Sequence, residues 1–392
     1  MGTSTKFKSL LAVLAVLTAA GLGAYGYQLA NGLEVTGMNN GTSWGLYITM
    51  FMFFVGLSAG GLIVASSASV FNVKDFKKVA LPAVIVSTVC ICVAGMFILI
   101  DLGGIQRVWR IFAGPNFISP LLWDVTVITM YLIINLFYLY FMTSTKPGAA
   151  DKVKIVSRFA LPVAILVHSV TAWIFGLEMA KEGWYSAIMA PLFVASAMDS
   201  GLALLIVGLV GLDKAGWFKV EKALISKLAA LLAVCVAVDG FFIFCEVLTM
   251  VYPGAAGAHT FAIMATGSMA PFFWFEIVCG VVVPFAILVF DKCRQNTKLV
   301  TLACAGIVLG VYCKRVWLLF TSFMHYNVAG APGVISGSSA AANGTGSNVW
   351  AVVSSYTPTM IEFVVVIGVI SLGLLAFLIL CKFFFSKLEK AN

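Results

Sequence analysis

Charge is what this chain has least of. Only 10% of its 392 residues are Asp, Glu, Lys or Arg, against about 25% in a soluble domain. That shortage leaves little room for an aqueous domain. With 61% hydrophobic residues and a mean hydropathy of +1.05, the chain is expected to be an all-α integral membrane protein. Histidine is nearly missing as well. Of the three, His168 falls inside an apolar run, while His259 and His325 lie at or beyond run ends. A b-type haem held by two facing histidines is therefore not expected, nor is a metal site. The nine cysteines include no C-x-x-C pair, and all but Cys293 sit in apolar runs. That spacing argues against a disulfide framework and against an iron–sulfur cluster in this chain, and leaves small packing residues. No nucleotide motif is present: "GLGAYG" (21–26) lies within an apolar run, not at a strand-to-helix turn.

What is there is a series of ten runs long enough to cross a bilayer, about 20 residues each. They span 9–30, 44–71, 79–103, 121–142, 155–180, 187–211, 223–250, 268–290, 298–324 and 357–381. The first follows Lys6 and Lys8 as a signal peptide would, but it is long and lacks a clear cleavage site. It is expected to be a retained helix. The 24 Lys and Arg are sorted by side. Only Arg107, Arg110 and Lys181 occupy one set of alternate loops, and Lys314 and Arg315 fall inside the ninth run. The rest sit at the two termini and around the other loops, as in "NVKDFKK" and "DKCRQNTK". The positive-inside rule then places both termini in the cytoplasm. It also accounts for the net charge of +8 without a nucleic-acid partner.

Two stretches point to a repeat. "VAGMFILIDL" (93–102) and "VDGFFIFCEV" (238–247) align at an offset of 145, bringing Asp101 onto Glu246. "SPLLWD" (119–124) resembles "APFFWFE" (270–276), each with a Pro three residues before a Trp and then an acid, Asp124 or Glu276. Trp173 matches Trp317, and more loosely "SAGGL" (58–62) matches "MDSGL" (198–202). Spans 2–5 and 6–9 thus read as two four-helix bundles in a parallel repeat, flanked by spans 1 and 10. The expected divisions are 1–43 (first helix and outer loop), 44–182 (first bundle), 183–325 (second bundle) and 326–392 (outer loop, last helix and tail).

Orientation gives each polar residue a depth. Trp44, Tyr47, Asp101, Arg107, Arg110 and Asp124 gather at the outer end of the first bundle, with His168 deeper and Glu178 at the edge. In the second bundle Asp199 and Asp239 sit deep, Glu246 and Glu276 lie in the outer half, and Lys314 and Arg315 interrupt span 9. A charge at the bilayer centre costs about 2.5–3.5 kcal/mol even on lenient scales, so these groups must face one another, a cavity or a water path. One reading is pairing between helices, with Lys314 and Arg315 neutralising Asp239 or Glu246. The acids outnumber the bases, however, and the surplus suits proton carriage. For His168 the plain alternative is a satisfied packing residue. Two related bundles with buried charge also suit a secondary transporter. Against that, no Gly/Pro-broken pair of spans falls at matching midplane positions, and the polar cluster lies at the outer end.

The blocks "WGLYITMFMFFVGLSAGG" (44–61), "IDLGGIQRVWR" (100–110), "SPLLWD" (119–124) and "HSVTAWIFG" (168–176) resemble the NrfD-like family, the membrane subunits of polysulfide reductase, with relatives in other iron–sulfur molybdoenzymes and in alternative complex III. The resemblance is good over spans 2–6 and looser beyond. It implies a quinone-reactive anchor of a bacterial or archaeal cytoplasmic membrane, with menaquinone or ubiquinone as substrate and no haem, metal or cluster of its own. It further implies an extracytoplasmic iron–sulfur partner joined to a molybdopterin or multihaem catalytic subunit. Carried over, the quinone-pocket acid and histidine correspond to Asp124 and His168, with Asp101 beside them as acid–base groups. Trp44, Tyr47 and Arg107 would complete the pocket. Some relatives carry an acid shortly after the histidine, where this chain has Ile174. Asp199, Asp239, Glu246, Glu276, Lys314 and Arg315 would form a proton path in the second bundle. The Gly/Ala/Ser-rich loop 327–348 is expected to be either disordered or a surface for the docked partner.

Overall fold

The computed structural model describes residues 5–39, 41–179, 181–324 and 356–391. Each of the ten expected runs contains one membrane-length helix. They are α1 (Thr5–Asn31), α2 (Leu46–Val70), α3 (Ala80–Asp101), α4 (Pro120–Met142), α5 (Ala149–Gly176), α6 (Met189–Lys214), α7 (Lys222–Val251), α8 (Ala270–Val289), α9 (Thr297–Phe323) and α10 (Met360–Ala391). No β-strand occurs among the described residues. A bilayer offers the backbone no water, so a helix that satisfies its own amides is the form these runs must take. The protein is a multi-pass membrane protein.

Helices α2, α3, α4 and α5 close a ring, each touching the next and α5 returning to α2. Helices α6 to α9 close a second ring in the same order. The rings join through α2 against α6, with α5 also touching α6 and α9 touching α2. Helix α2 lies at the centre, 89% of its apolar window being buried, whereas α1 is peripheral at 11%. Helices α1 and α10 pack together and dock on α3 and α2.

Close contact between the rings depends on absent side chains. At the α2–α6 crossing, a Cβ built on Gly60 would stand 2.2 Å from the Gly201 carbonyl carbon and the Leu202 nitrogen. Small residues let membrane helices approach until dispersion becomes strong. Gly280 and Gly310 do the same between α8 and α9. Within the first ring, Tyr131 and Tyr138 of α4 sit two turns apart. They donate to the Ser58 and Ala65 carbonyls of α2, at 2.9 Å each.

The two ends of the bundle differ. Phe7 of α1 meets Trp217, Phe385 of α10 stacks on Phe218, and Lys382 lies over the Phe7 ring. The start of α1, the α6–α7 turn and the end of α10 therefore share one end. At that end Lys227 pairs with Asp75 and Lys78 with Glu221. These ammonium groups hold the Asp75 carboxyl below its usual range. The opposite end holds the start of α2, the end of α3 and the start of α10, and is called the outer end below.

Several features depart from the sequence reading. Span 8 is not one regular helix: six α-helical residues give way to a π-helical segment, Glu276–Val282, before α-helix resumes at Val283. The stretch "FFWFE" holds one residue more between Trp and acid than "LLWD" does. A π turn is how a helix absorbs one extra residue. A short helix, Ala255–Ala265, fills the α7–α8 connection and carries His259. Helix α5 begins at Ala149 and α10 runs on to Ala391. His325 and the expected docking loop 327–348 lie outside the described residues.

Candidate functional site

At the outer end of the first ring, Ser119 and Pro120 start α4, with Pro in the first turn where its missing N–H costs nothing. This puts Asp124 one turn inside the helix and buried. Thr171 of α5 donates its hydroxyl to Asp124 Oδ1 at 2.6 Å. His168, on the same helix three residues earlier, is 1% exposed, and its Nε2 has no hydrogen-bond partner among the described residues. A buried ring nitrogen left unpaired is costly and marks a place where a ligand or water is expected.

A second outer-end group joins α1, α2 and α3. The Tyr47 hydroxyl, fully buried, donates to Gln28 Oε1 at 2.7 Å, and Gln28 Nε2 donates to the Ile100 carbonyl at 3.2 Å. Asp101 follows Ile100 at the end of α3 and is partly exposed, with its Oδ1 buried and unpaired among the described residues. Beside them, α1, α3 and α10 border a half-open apolar cleft of about 160 Å³ whose walls include Tyr25, Ile100 and Val369.

The wall between the rings is aromatic. Trp44 stacks on Trp184 at 5.8 Å and meets Phe175 edge-on at 5.6 Å, while Trp184 donates to the Leu318 carbonyl at 2.8 Å. Above, a buried knot holds the segment ahead of α2. The Glu362 carboxylate accepts the Gly37 and Thr359 amides, both at 2.8 Å, and the Tyr356 hydroxyl at 2.6 Å. The Tyr356 oxygen in turn accepts the Leu46 amide at 2.7 Å. Thr359 and Glu362 form a capping box at the start of α10.

In the second ring, Lys314 of α9 pairs with Asp239 of α7 at 2.9 Å and lies 3.5 Å from Glu276 of α8. Trp317 donates its indole N–H to the other Glu276 oxygen. Asp199 is buried, with Oδ1 unpaired among the described residues. Glu246 accepts from Ser186 at 2.8 Å. Arg315 turns the other way, toward α6. Its Nη2 donates to Ser196 at 2.7 Å, its guanidinium lies 4.0 Å over the Phe193 ring, and Nε and Nη1 have no hydrogen-bond partner among the described residues.

The expected residues thus separate into several groups. Asp124, His168, Asp199, Asp239, Glu246, Glu276, Lys314 and Arg315 are all buried, as residues that cannot face lipid must be. Asp124 takes its hydrogen bond from Thr171, not from His168. Lys314 is bridged to two acids, whereas Arg315 has no ion pair among the described residues. Arg107 lies exposed in a short 3-10 turn, Ile105–Arg107. Glu178 is exposed beyond α5. Trp173 is 37% exposed while its expected counterpart Trp317 is buried. The sequence reading passed over Gln28, Thr171, Trp184, Ser196 and Glu362. Gln28 carried a signal as a lone amide in an apolar run, and Glu362 did so as the acid of a T-x-x-E start.

Ten membrane-length helices among the described residues, with acids and bases buried inside two rings, define a multi-pass membrane protein. Among the described residues no group of His, Cys, Asp and Glu is placed to hold a metal ion. The family model described as "Polysulphide reductase, NrfD" matches residues 34–327, and the chain belongs to that family. It is 35% identical to a putative dimethyl sulfoxide reductase membrane subunit of Halobacterium salinarum, over 93% of this chain and 88% of that one. It is 28% identical to the Hdr-like menaquinol oxidoreductase integral membrane subunit of Archaeoglobus fulgidus, over 100% and 96%. A selenate reductase subunit of Mesobacillus selenatarsenatis is 25% identical, over 93% and 91%.

Proposed function

We propose that this chain is the quinone- or quinol-binding membrane subunit of a multi-subunit oxidoreductase. The head group would sit at the outer end of the first ring. The observation that carries this is the unpaired, buried His168 Nε2 three residues from Thr171, which holds Asp124. Interconverting quinone and quinol moves two electrons and two protons, so the site needs a hydrogen-bonding group at each ring oxygen and a proton route. His168 supplies a hydrogen-bonding nitrogen, and Asp124 or Asp101 a proton acceptor or donor. Trp44 and Tyr47 would line the ring, and Arg107 would stand at the mouth. The menaquinol oxidoreductase subunit of A. fulgidus supports menaquinone over ubiquinone.

The electrons would pass to an extracytoplasmic iron–sulfur subunit bound to a molybdopterin or multihaem catalytic subunit. The relatives named as subunits of dimethyl sulfoxide and selenate reductases support a multi-subunit reductase. Both termini would face the cytoplasm, as the basic loops require. The two rings would descend from one duplicated four-helix unit. In support, Trp123 and Trp274 each donate to a carbonyl ahead of their helix, Phe117 and Ala265, at 2.7 and 2.8 Å. In the second ring, Asp199, Asp239, Glu246, Glu276, Lys314 and Arg315 would carry protons. The Lys314 bridge between Asp239 and Glu276 supports that reading.

The test is titration of the purified protein, with partners attached, with a fluorescent quinol analogue, alongside His168→Ala and Asp124→Asn. Saturable binding by the wild type that both changes weaken at least tenfold is expected. Absence of binding by well-folded wild type removes the quinone reading.

A further inference from the structure

At the end of the bundle that holds both chain ends, the α6–α7 turn and the α8–α9 turn border a groove of about 910 Å³. Four lysines line it: Lys214 closing α6, Lys222 opening α7, Lys292 in the α8–α9 turn and Lys298 in the first turn of α9. All four are exposed, and none makes an ion pair among the described residues. The acids nearest in sequence are engaged elsewhere. Glu221 pairs with Lys78, Asp291 pairs with Arg294, and Asp213 accepts the Val220 amide. Four positive charges thus line the groove, and no acid among the described residues is ion-paired with any of them.

Its other wall is apolar and faces outward. Leu302 and Ala305 of α9 line the groove, and Leu309 continues the same helix face toward mid-membrane, all three exposed. Spacings of three and four residues place them on one stripe. A basic head-group pocket opening onto an apolar stripe that descends into the bilayer fits a molecule with an anionic head and hydrocarbon tail. Lysines, as mobile point charges, suit a phosphodiester and do not require a fixed bidentate geometry.

We propose that this groove is a binding site for an anionic phospholipid of the surrounding bilayer, its phosphate among Lys214, Lys222, Lys292 and Lys298 and an acyl chain along Leu302, Ala305 and Leu309. The lipid would tie the α6–α7 turn to the α8–α9 turn and so fasten the second ring at the end opposite the proposed quinone pocket. The site is independent of that pocket, so its test does not depend on quinone chemistry.

The test uses the full-length protein in detergent with phosphatidylglycerol, diphosphatidylglycerol, phosphatidylcholine or inorganic phosphate added, binding being read by native mass spectrometry and by unfolding temperature. Anionic lipids should bind and raise the unfolding temperature, and rising salt should weaken them. Phosphatidylcholine and inorganic phosphate should do neither. A basic residue near an anionic surface contributes about 1 kcal/mol, or about fivefold. Lys292→Gln/Lys298→Gln should therefore weaken phosphatidylglycerol binding about 25-fold, and Lys214→Gln/Lys222→Gln likewise. Lys74→Gln/Lys152→Gln, at the same end but outside the groove, should leave it unchanged. Equal binding of phosphatidylcholine, protection by inorganic phosphate alone, or equal losses in the control pair would each overturn the proposal.

Discussion

Lys314 of α9 faces both carboxylate oxygens of Asp239 of α7, at 2.9 and 3.2 Å, with neither side chain meaningfully exposed. Removing one partner of such a pair leaves an uncompensated charge and costs about 3–5 kcal/mol. Lys314→Met is expected to lower the unfolding midpoint sharply, because Asp239 and Glu276 then face each other without a cation. Lys314→Met/Asp239→Asn should recover part of the loss. Thermal unfolding of the purified variants checks this, and an unchanged midpoint for the single variant would contradict it.

Thr171 is the side chain that donates to Asp124. Thr171→Val keeps the shape and removes the hydroxyl, leaving the carboxyl unsatisfied at about 1–3 kcal/mol. Thr171→Ser should restore most of that. Denaturant or thermal unfolding of the three forms measures the difference. If quinol binds beside Asp124, Thr171→Val should also weaken the fluorescent analogue where Thr171→Ser does not.

The Gly60–Gly201 crossing makes a sharper prediction. Gly60→Ala places a methyl within 2.2 Å of the α6 backbone, which cannot move aside as a flexible side chain would. The two rings must then separate, and loss of folded protein in size-exclusion chromatography is expected. On the same α6, Gly208→Ala meets only Val86 Cγ2 at 4.0 Å. It should be tolerated or slightly stabilising, since alanine is the better helix former by about 0.8–1 kcal/mol.

Glu362 accepts the Gly37 amide and so ties the chain at Gly37 to the start of α10. Glu362→Ala strands the Gly37 and Thr359 amides and removes the acceptor of the Tyr356 hydroxyl. The expected result is faster proteolysis within 33–45, with a loss of about 2 kcal/mol or more from the unsatisfied donors. Glu362→Gln keeps an acceptor oxygen and should be milder. Equal cleavage rates in wild type and Glu362→Ala would show that the knot does not restrain the segment.

The ten helices could be read along the chain because the bilayer imposes a local rule. Each crossing needs its own apolar run, and neighbours in sequence supply it. Burial of Asp124, Asp199, Asp239 and Glu276 was legible for the same reason, since hydrocarbon tolerates no unpaired charge. The break in α8 was harder to see. It shows only as the one residue by which "FFWFE" exceeds "LLWD", an excess taken up as a π turn where α8 packs on α9 at Gly280 and Gly310. The strap from Glu362 to Gly37 joins residues 325 positions apart, a separation no local pattern reports.

Lys314 and Arg315 make the division plainest. Their sequence establishes two cations within one apolar run and requires that both be buried. It does not say what either meets. Consecutive residues on a helix diverge by about 100°, so the pair splits: Lys314 turns to Asp239 and Glu276, while Arg315 turns to Ser196 and Phe193. Composition and periodicity act on neighbours along the chain, and they are enough to place helices in a membrane. Partners are chosen by packing across helices, where a close approach at Gly60 and Gly201 sets which faces meet.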